Sequence, residues 1–165
     1  MRKGFSVIEI LIVIALFSVL SVLVAQSITQ SFRGTRKVDA AGDVRDNLNL
    51  ASDIVERHIR NAKSITSTCD SASHGSIAYT DQLGNNGSFS CLNMTGSDPQ
   101  LASGSANLRI TSVDVSITSC SFRCTTTSTV TPPIIDFVIA GRARGVANTD
   151  ESFTTVSRRI VLRVY

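Results

Sequence analysis

The chain has 165 residues and a mass of 17.6 kDa, a size that fits one folded domain with a short additional segment. Its net charge is only +3, and aromatic residues make up 5% of it, with no tryptophan. This composition argues against a nucleic-acid-binding protein, which needs clustered basic residues and rings for base stacking.

The first predicted element is an apolar helix at residues 5–25, which follows a short leader that contains Arg2 and Lys3. About 20 apolar residues are enough to cross a membrane as one helix, with the basic leader on the cytoplasmic side. The segment has four polar side chains, Ser6, Glu9, Ser18 and Ser21. Because a carboxylate at membrane depth is costly and normally has a partner, Glu9 requires an explanation.

Two ordinary kinds of segment fit this N-terminus less well. A secretory signal peptide has an apolar core of about 7–15 residues and then a small-residue cleavage site, whereas this core is longer and no such site follows Ala25. A generic signal anchor with Glu9 reaching back to the membrane interface fits the length. It gives no reason for the Gly4-Phe5 junction.

The run Lys3-Gly4-Phe5-Ser6-Val7-Ile8-Glu9 resembles the class III signal of type IV pilins and pseudopilins. In that family a prepilin peptidase cuts after the glycine, and the new N-terminal residue is methylated. The resemblance therefore implies leader cleavage between Gly4 and Phe5, N-methylation of Phe5, and a role for Glu9 in assembly. It covers the N-terminal segment, and the rest of the chain is compared only with the general pilin layout.

The chemistry of an assembly role for Glu9 follows from its position. Cleavage leaves a cationic α-amino group on Phe5, one helical turn before Glu9. A carboxylate in lipid gains strongly from a cationic partner, and the amine of a neighbouring subunit can supply it. Such a pair fixes the axial register of packed helices, as one buried polar residue does in a coiled coil.

The helix is predicted to continue through residues 26–62, because no proline occurs before Pro99. The i,i+4 pairs Asp53/Arg57 and Glu56/Arg60 are predicted on its polar side. An apolar stripe with steps of three and four residues indicates one buried face. Its members are Val38, Ala41, Val44, Leu48, Ala51, Val55, Ile59 and Ala62.

Residues 63–165 are predicted to form a β-rich head. Strands at residues 76–80 and 88–92 flank a Gly-Asn-Asn-Gly turn, which is typical of a hairpin. Between Leu108 and Ile117 the alternation slips at Ser112, which predicts a bulge.

The last predicted strands are residues 134–140 and 156–164. In the final strand the apolar residues Val156, Ile160, Leu162 and Val164 share one face, away from Arg159 and Arg163. A helix followed by antiparallel strands indicates an α+β fold whose sheet covers the second half of the helix. This is the layout of the pilin fold, with residues 1–4 as the leader.

Four cysteines, Cys69, Cys91, Cys120 and Cys124, lie in the part predicted to face outside the membrane. An even number of cysteines there favours disulfides, with three possible connectivities. We prefer Cys69–Cys91 and Cys120–Cys124. Zinc is the less favoured alternative, because Cys120 and Cys124 lack zinc-ligand spacing and His74 is isolated.

Catalytic signals are weak, so we expect no enzyme, no cofactor, no metal and no small-molecule substrate. The serines lack a nucleophile-elbow context, His58 fits a packing role, and His74 lies in a polar loop. The oxygen-rich turn with Asp81, Asn85 and Asn86 lacks the spaced acids of a known Ca²⁺ loop.

Within the pilin-like proteins, residues 59–62 and 153–158 resemble J-type pseudopilins and W-type minor pilins, and Glu9 argues against a K-type pseudopilin. A major pilin is the alternative subtype. The expected function is a minor pilin or pseudopilin of a type IV pilus, type II secretion or related filament. Its expected partners are other subunits, prepilin peptidase and the cytoplasmic membrane, and its later location is a surface or periplasmic filament. The alternative is a single-pass membrane-anchored extracytoplasmic binding or enzyme domain.

Overall fold

The computed structural model describes residues 7–104, 106–126, 132–144 and 153–163. The predictions for Gly4, Phe5 and Val164 therefore lie outside the described residues. The chain forms two compact units, residues 1–39 and residues 40–165.

The described residues form one helix and nine strands. Helix α1 spans Val7–Arg60, so it ends two residues before the predicted limit at Ala62. The strands are β1 (Ser64–Ile65), β2 (Ser73–His74), β3 (Ser76–Thr80), β4 (Asn86–Leu92), β5 (Gln100–Ser103), β6 (Leu108–Arg109), β7 (Val115–Thr125), β8 (Ile134–Ala143) and β9 (Phe153–Val161).

The strands of the second unit form two antiparallel sheets. One sheet has the order β1-β3-β4-β5-β6 and the other has the order β2-β7-β8-β9. The core of this unit joins α1 to both sheets, with Phe89 from the first sheet and Phe122 and Phe137 from the second fully buried. The predicted α+β arrangement is confirmed, and it is consistent with the pilin fold.

The predicted apolar stripe of the helix is confirmed from Val44 onward. Val44, Leu48, Ala51, Val55 and Ile59 are all at most 1% exposed. The predicted beginning of the stripe is wrong, because Val38 is 70% exposed and Ala41 is only partly buried. Full burial of this helix face begins at Val44, the first helix residue of the core cluster formed with the sheets.

The hairpin follows the sequence prediction closely, whereas the final strand begins three residues earlier than predicted and ends at Val161. Strand β3 has the predicted limits, and β4 begins two residues earlier than predicted. In and after β9 the side chains of Val156, Ile160 and Leu162 are buried, while Arg159 and Arg163 are exposed.

The predicted bulge at Ser112 is wrong. Ser112 lies between β6 and β7, outside any strand, and its amide donates to Asn47 Oδ1 on α1 at 3.1 Å. At this point the chain passes from the sheet that contains β6 to the sheet that contains β7. This crossing ends the alternation of apolar and polar residues, whereas a bulge would only shift it by one residue. The register shift occurs instead between Ile117 and Ser119 in β7.

One of the two predicted ion pairs on the helix is confirmed. Arg60 pairs with Glu56, whereas Asp53 pairs with Arg158 of β9 at 3.3 Å. Arg158 also donates to Asn49 at 3.3 Å and lies 3.5 Å from Glu56. The Arg158 guanidinium, from a strand distant in sequence, therefore pairs with Asp53 in place of the predicted Arg57.

Candidate anchor and assembly site

The segment Val7–Phe32 of α1 contains an 18-residue window with a mean hydropathy of 3.0, and none of that window is buried. Its 26 residues span about 39 Å at 1.5 Å per residue, more than the roughly 30 Å of a bilayer core. Large apolar side chains such as Leu11, Phe17 and Leu20 are between 60% and 71% exposed. By length and composition this segment suits a membrane anchor.

Three hydroxyl groups of the apolar segment donate hydrogen bonds within the helix. Ser18 donates to the Ala15 carbonyl at 2.8 Å, and Ser21 donates to the Phe17 carbonyl at 2.8 Å. Thr29 donates in the same way to the Ala25 carbonyl at 2.9 Å. Because these donors already have acceptors, they do not need water and add little cost in lipid.

Glu9 is the charged residue of the segment Val7–Phe32, and it lies in the first turn of the described helix. Its side chain is exposed among apolar neighbours. Within the described parts of the chain, its carboxylate has no ion-pair partner. The structure thus places one carboxylate on an apolar surface, where a cation from another chain has access to it.

The four cysteines form two disulfides, but the preferred pairing was wrong. The bridges are Cys69–Cys124, with a Cα–Cα distance of 4.6 Å, and Cys91–Cys120, with a Cα–Cα distance of 5.8 Å. These bonds leave no free thiol among the cysteines for a zinc site.

Strand geometry explains the correction. Cys120 and Cys124 both lie in β7, where four residues of extended chain span about 13 Å, too far for a bridge between them. Strand β2 pairs with β7 and the Ser71 amide donates to the Cys124 carbonyl at 3.0 Å, which brings Cys69 beside Cys124. The second bridge joins β4 of one sheet to β7 of the other.

The two histidines have different surroundings. His58 is exposed rather than half-buried as predicted, although its ring lies near those of Tyr79 and Phe89, with centroid distances of 6.3 and 5.9 Å. His74 Nε2 lies 2.8 Å from Asp70 Oδ1 on an exposed surface. That hydrogen bond keeps the pKa of the Asp70 carboxyl below its ordinary value.

The turn between β3 and β4 is held by its own hydrogen bonds. Asp81 accepts from the amides of Leu83 and Asn85 at 2.9 and 2.8 Å, and from the Asn85 side chain at 3.0 Å. The side-chain bond and these amides lower the pKa of the Asp81 carboxyl. The Asp81 carboxylate therefore accepts the hydrogen bonds that hold the turn. In the described part of the chain, no three His, Cys, Asp or Glu residues are grouped so that they could bind a metal ion.

Two surface clefts of the second unit were not predicted. The first, of about 380 Å³, lies beside the end of α1 and includes Lys63 and Arg163. The second, of about 450 Å³, includes Asp43, Asp46 and Asp114. Each cleft is lined by residues that are distant in sequence, so local sequence patterns could not predict it.

Comparison with known proteins places the N-terminus in a defined class. Residues 1–25 match the family profile described as a prokaryotic N-terminal methylation motif. This match supports a class III signal like that of type IV pilins, and hence a type IV pilin-like precursor that prepilin peptidase processes. The same motif, with the apolar helix, suggests membrane anchoring before assembly.

Searches over the whole chain found no matching curated protein and no matching solved structure. The match at residues 1–25 thus concerns the anchor segment.

Proposed function

We propose that the chain is a minor pilin or pseudopilin, a structural subunit of a type IV pilus, type II secretion or related filament. The observation that carries this proposal is the methylation motif at residues 1–25, placed at the start of an apolar helix with an exposed Glu9. The J-type and W-type resemblances belong to the same proposal. The proposed role is structural and involves no catalysis by this chain.

In this proposal, cleavage between Gly4 and Phe5 creates an amino group that is then methylated on Phe5. The Glu9 carboxylate of one subunit binds that amine on its neighbour. Both charges are costly in an apolar helix bundle when they are separate, and much less so when they are paired. The contact therefore selects one axial register between neighbouring helices, because apolar surfaces alone would allow many registers.

The processing step is tested by co-expression with a prepilin peptidase and mass spectrometry of the N-terminus. We expect a mature chain that begins at Phe5, with an N-methyl group when the methylating activity is present. Gly4→Val should keep the leader, because a side chain there crowds the peptide in the peptidase site. Ser6→Ala is the control and should be cut normally.

An intact Met1 terminus in the presence of active peptidase would refute the proposal. It would favour the alternative, a single-pass membrane-anchored extracytoplasmic binding or enzyme domain. That outcome is informative only if a known substrate is cut in the same cells.

The role of Glu9 is tested by Glu9→Ala and by the uncharged isostere Glu9→Gln. Removing a charge from the apolar helix should ease membrane insertion by about 2–3 kcal/mol on insertion scales. Leader cleavage should be unchanged, and incorporation into filaments should fall in both variants. Ser18→Ala removes a polar group from the same helix without removing a charge, and it should assemble normally.

A further inference from the structure

Two clefts of the second unit have opposite charge, and we name them the basic cleft and the acidic cleft. A third cleft shares Arg163 with the basic cleft and is also lined by Asp53, Glu56, Arg57, Arg60 and Asn61. The basic cleft is lined by Lys63, Gln82, Pro132, Pro133, Leu162 and Arg163, among others. No acidic residue is among the described residues that line it. Lys63 and Arg163 have exposed side chains and make no ion pair with any described residue.

The acidic cleft carries the side chains of Asp43, Asp46 and Asp114. Its cation, Arg144, is already paired with Asp98 at 2.7 Å. Asp43 and Asp46 are exposed on α1, and neither makes an ion pair with a described residue. The charge of this cleft is therefore open to an outside cation.

The two clefts lie at different levels along α1. Asp46 is 14 residues before Arg60, where the helix ends, which corresponds to about 21 Å along the axis. Lys63 lies beyond that end. The clefts are too far apart for their charges to pair within one copy.

An exposed leucine lines the acidic cleft, and another directly follows a lining residue of the basic cleft in the sequence. Leu50 lines the acidic cleft and is 61% exposed. Leu83 is 88% exposed and follows Gln82, whose side chain donates to the Asn61 carbonyl at 3.1 Å. Together with the Asp81 hydrogen bonds, this hydrogen bond fixes the backbone of the turn that carries Leu83.

We infer that the basic cleft of one copy docks on the acidic cleft of a second copy, an inference that rests on the proposed filament function. The contact joins two different surfaces, so it is heterologous and leaves a free cleft at each end of the pair. Such contacts repeat into rings or open filaments. The offset between the clefts would give each copy an axial step of about 21 Å relative to its neighbour.

The contact is small and charged, so it should be weak alone and sensitive to salt. Within a filament the helices of the first units hold the copies together, and the effective concentration of the clefts is high. The contact would therefore set the order and spacing of heads rather than supply most of the binding.

A zero-length carbodiimide cross-linker tests the inference, because it joins an amine to a carboxylate only in direct contact. The full chain is placed at high density in lipid vesicles at low ionic strength, where the shared membrane raises the effective concentration of the clefts and the weak contact is populated. Lys63 is the one lysine in the sequence of residues 40–165. We mix copies labelled with ¹⁵N and unlabelled copies, and we identify cross-linked peptides by mass spectrometry. The expected product joins Lys63 of one isotope to Asp43, Asp46 or Asp114 of the other.

Charge variants that keep Lys63 separate docking from simple reactivity. Arg163→Glu should lower the yield of this cross-link at least fivefold, and Asp46→Arg should do the same. A mixture of the two variants should restore the yield between Lys63 of the first and Asp43 or Asp114 of the second. Arg123→Glu makes the same charge change on β7, away from both clefts, and should leave the yield unchanged.

Three results would overturn the inference: no mixed-isotope cross-link of Lys63, cross-links only to carboxylates outside the acidic cleft, or an equal loss in Arg123→Glu. Disulfide mapping of each variant checks that it is folded. Leader cleavage is measured on the same samples. A processed chain without the cross-link would refute the docking and leave the proposed function standing.

Discussion

Residues 7–32 and residues 44–59 belong to the same helix, yet the same residue types have opposite environments in them. Leu20 is 60% exposed and Leu48 is fully buried, and Val13 and Val55 differ in the same way. The first region is apolar on all sides, whereas the second is apolar on one stripe. The arrangement of polar residues, and not hydrophobicity itself, distinguishes a surface for lipid or partner helices from a surface for the protein's own sheets.

The largest expected effect comes from reducing the disulfides, which act on the second unit alone. In the chain-entropy model, closing the 55-residue separation of Cys69–Cys124 stabilises the fold by about 4 kcal/mol. Reduction should lower the free energy of unfolding by at least this amount. Chemical denaturation of the full chain in detergent, oxidised and reduced, measures it.

The replacements Cys69→Ser with Cys124→Ser, and Cys91→Ser with Cys120→Ser, separate the two bridges. Peptide mapping of the oxidised protein gives the connectivity directly. Equal denaturation midpoints before and after reduction would show that the core holds without them.

The next effect contrasts the two halves of α1 by the same substitution. Leu48→Ala removes a fully buried side chain and should cost about 2–5 kcal/mol of stability. Leu20→Ala is the matched change in the exposed region and should stay within about 0.5 kcal/mol. A similar loss for both would mean that the first region also packs within a single copy.

A smaller effect tests the packing of the first sheet. A Cβ added at Gly87 would lie 2.5 Å from Tyr79 Cζ, and the Tyr79 ring is stacked on Phe89 with a centroid distance of 5.6 Å. Gly87→Ala should therefore cost about 1–3 kcal/mol. Gly75→Ala, where the added atom meets nothing within 4 Å, is the control, measured by thermal unfolding.

The smallest effect is a pH dependence of the second unit. Hydrogen bonds from Arg144 and then Arg109 hold the pKa of Asp98 below its ordinary value of 3.8. A lowered folded-state pKa means that this stabilisation is present above the unfolded pKa and is lost as the pH falls through the folded one. Asp98→Asn should make the melting temperature less dependent on pH below about 4, and an unchanged slope would contradict the assignment.

The sequence predicted those parts of the fold that depend on local pattern. The helix stripe from Val44, the strand at residues 76–80 and the buried face of the final strand all follow from periodicity, and each is present. Glu9 was also found by pattern, because one charge in an apolar run is visible without a structure.

The parts that were missed depend on contacts between distant segments. The pairing of Cys91 with Cys120 requires knowing that two sheets meet, and the break at Ser112 requires knowing where the chain crosses between them. Strands β2 and β5 were not predicted, since two or four residues are too few to show alternation. The two clefts have no local signature for the same reason.

The connectivity of the disulfides has a consequence for the order of events during export. Under the proposed function the second unit crosses the membrane after the anchor, so Cys69 emerges before Cys91 and the earliest oxidation available to the chain is the non-native Cys69–Cys91 bond. The native bridges are nested, and Cys69 must wait for Cys124, 55 residues later. Such a chain depends on thiol–disulfide exchange to correct early bonds, so its yield in the cell should follow the activity of a disulfide isomerase.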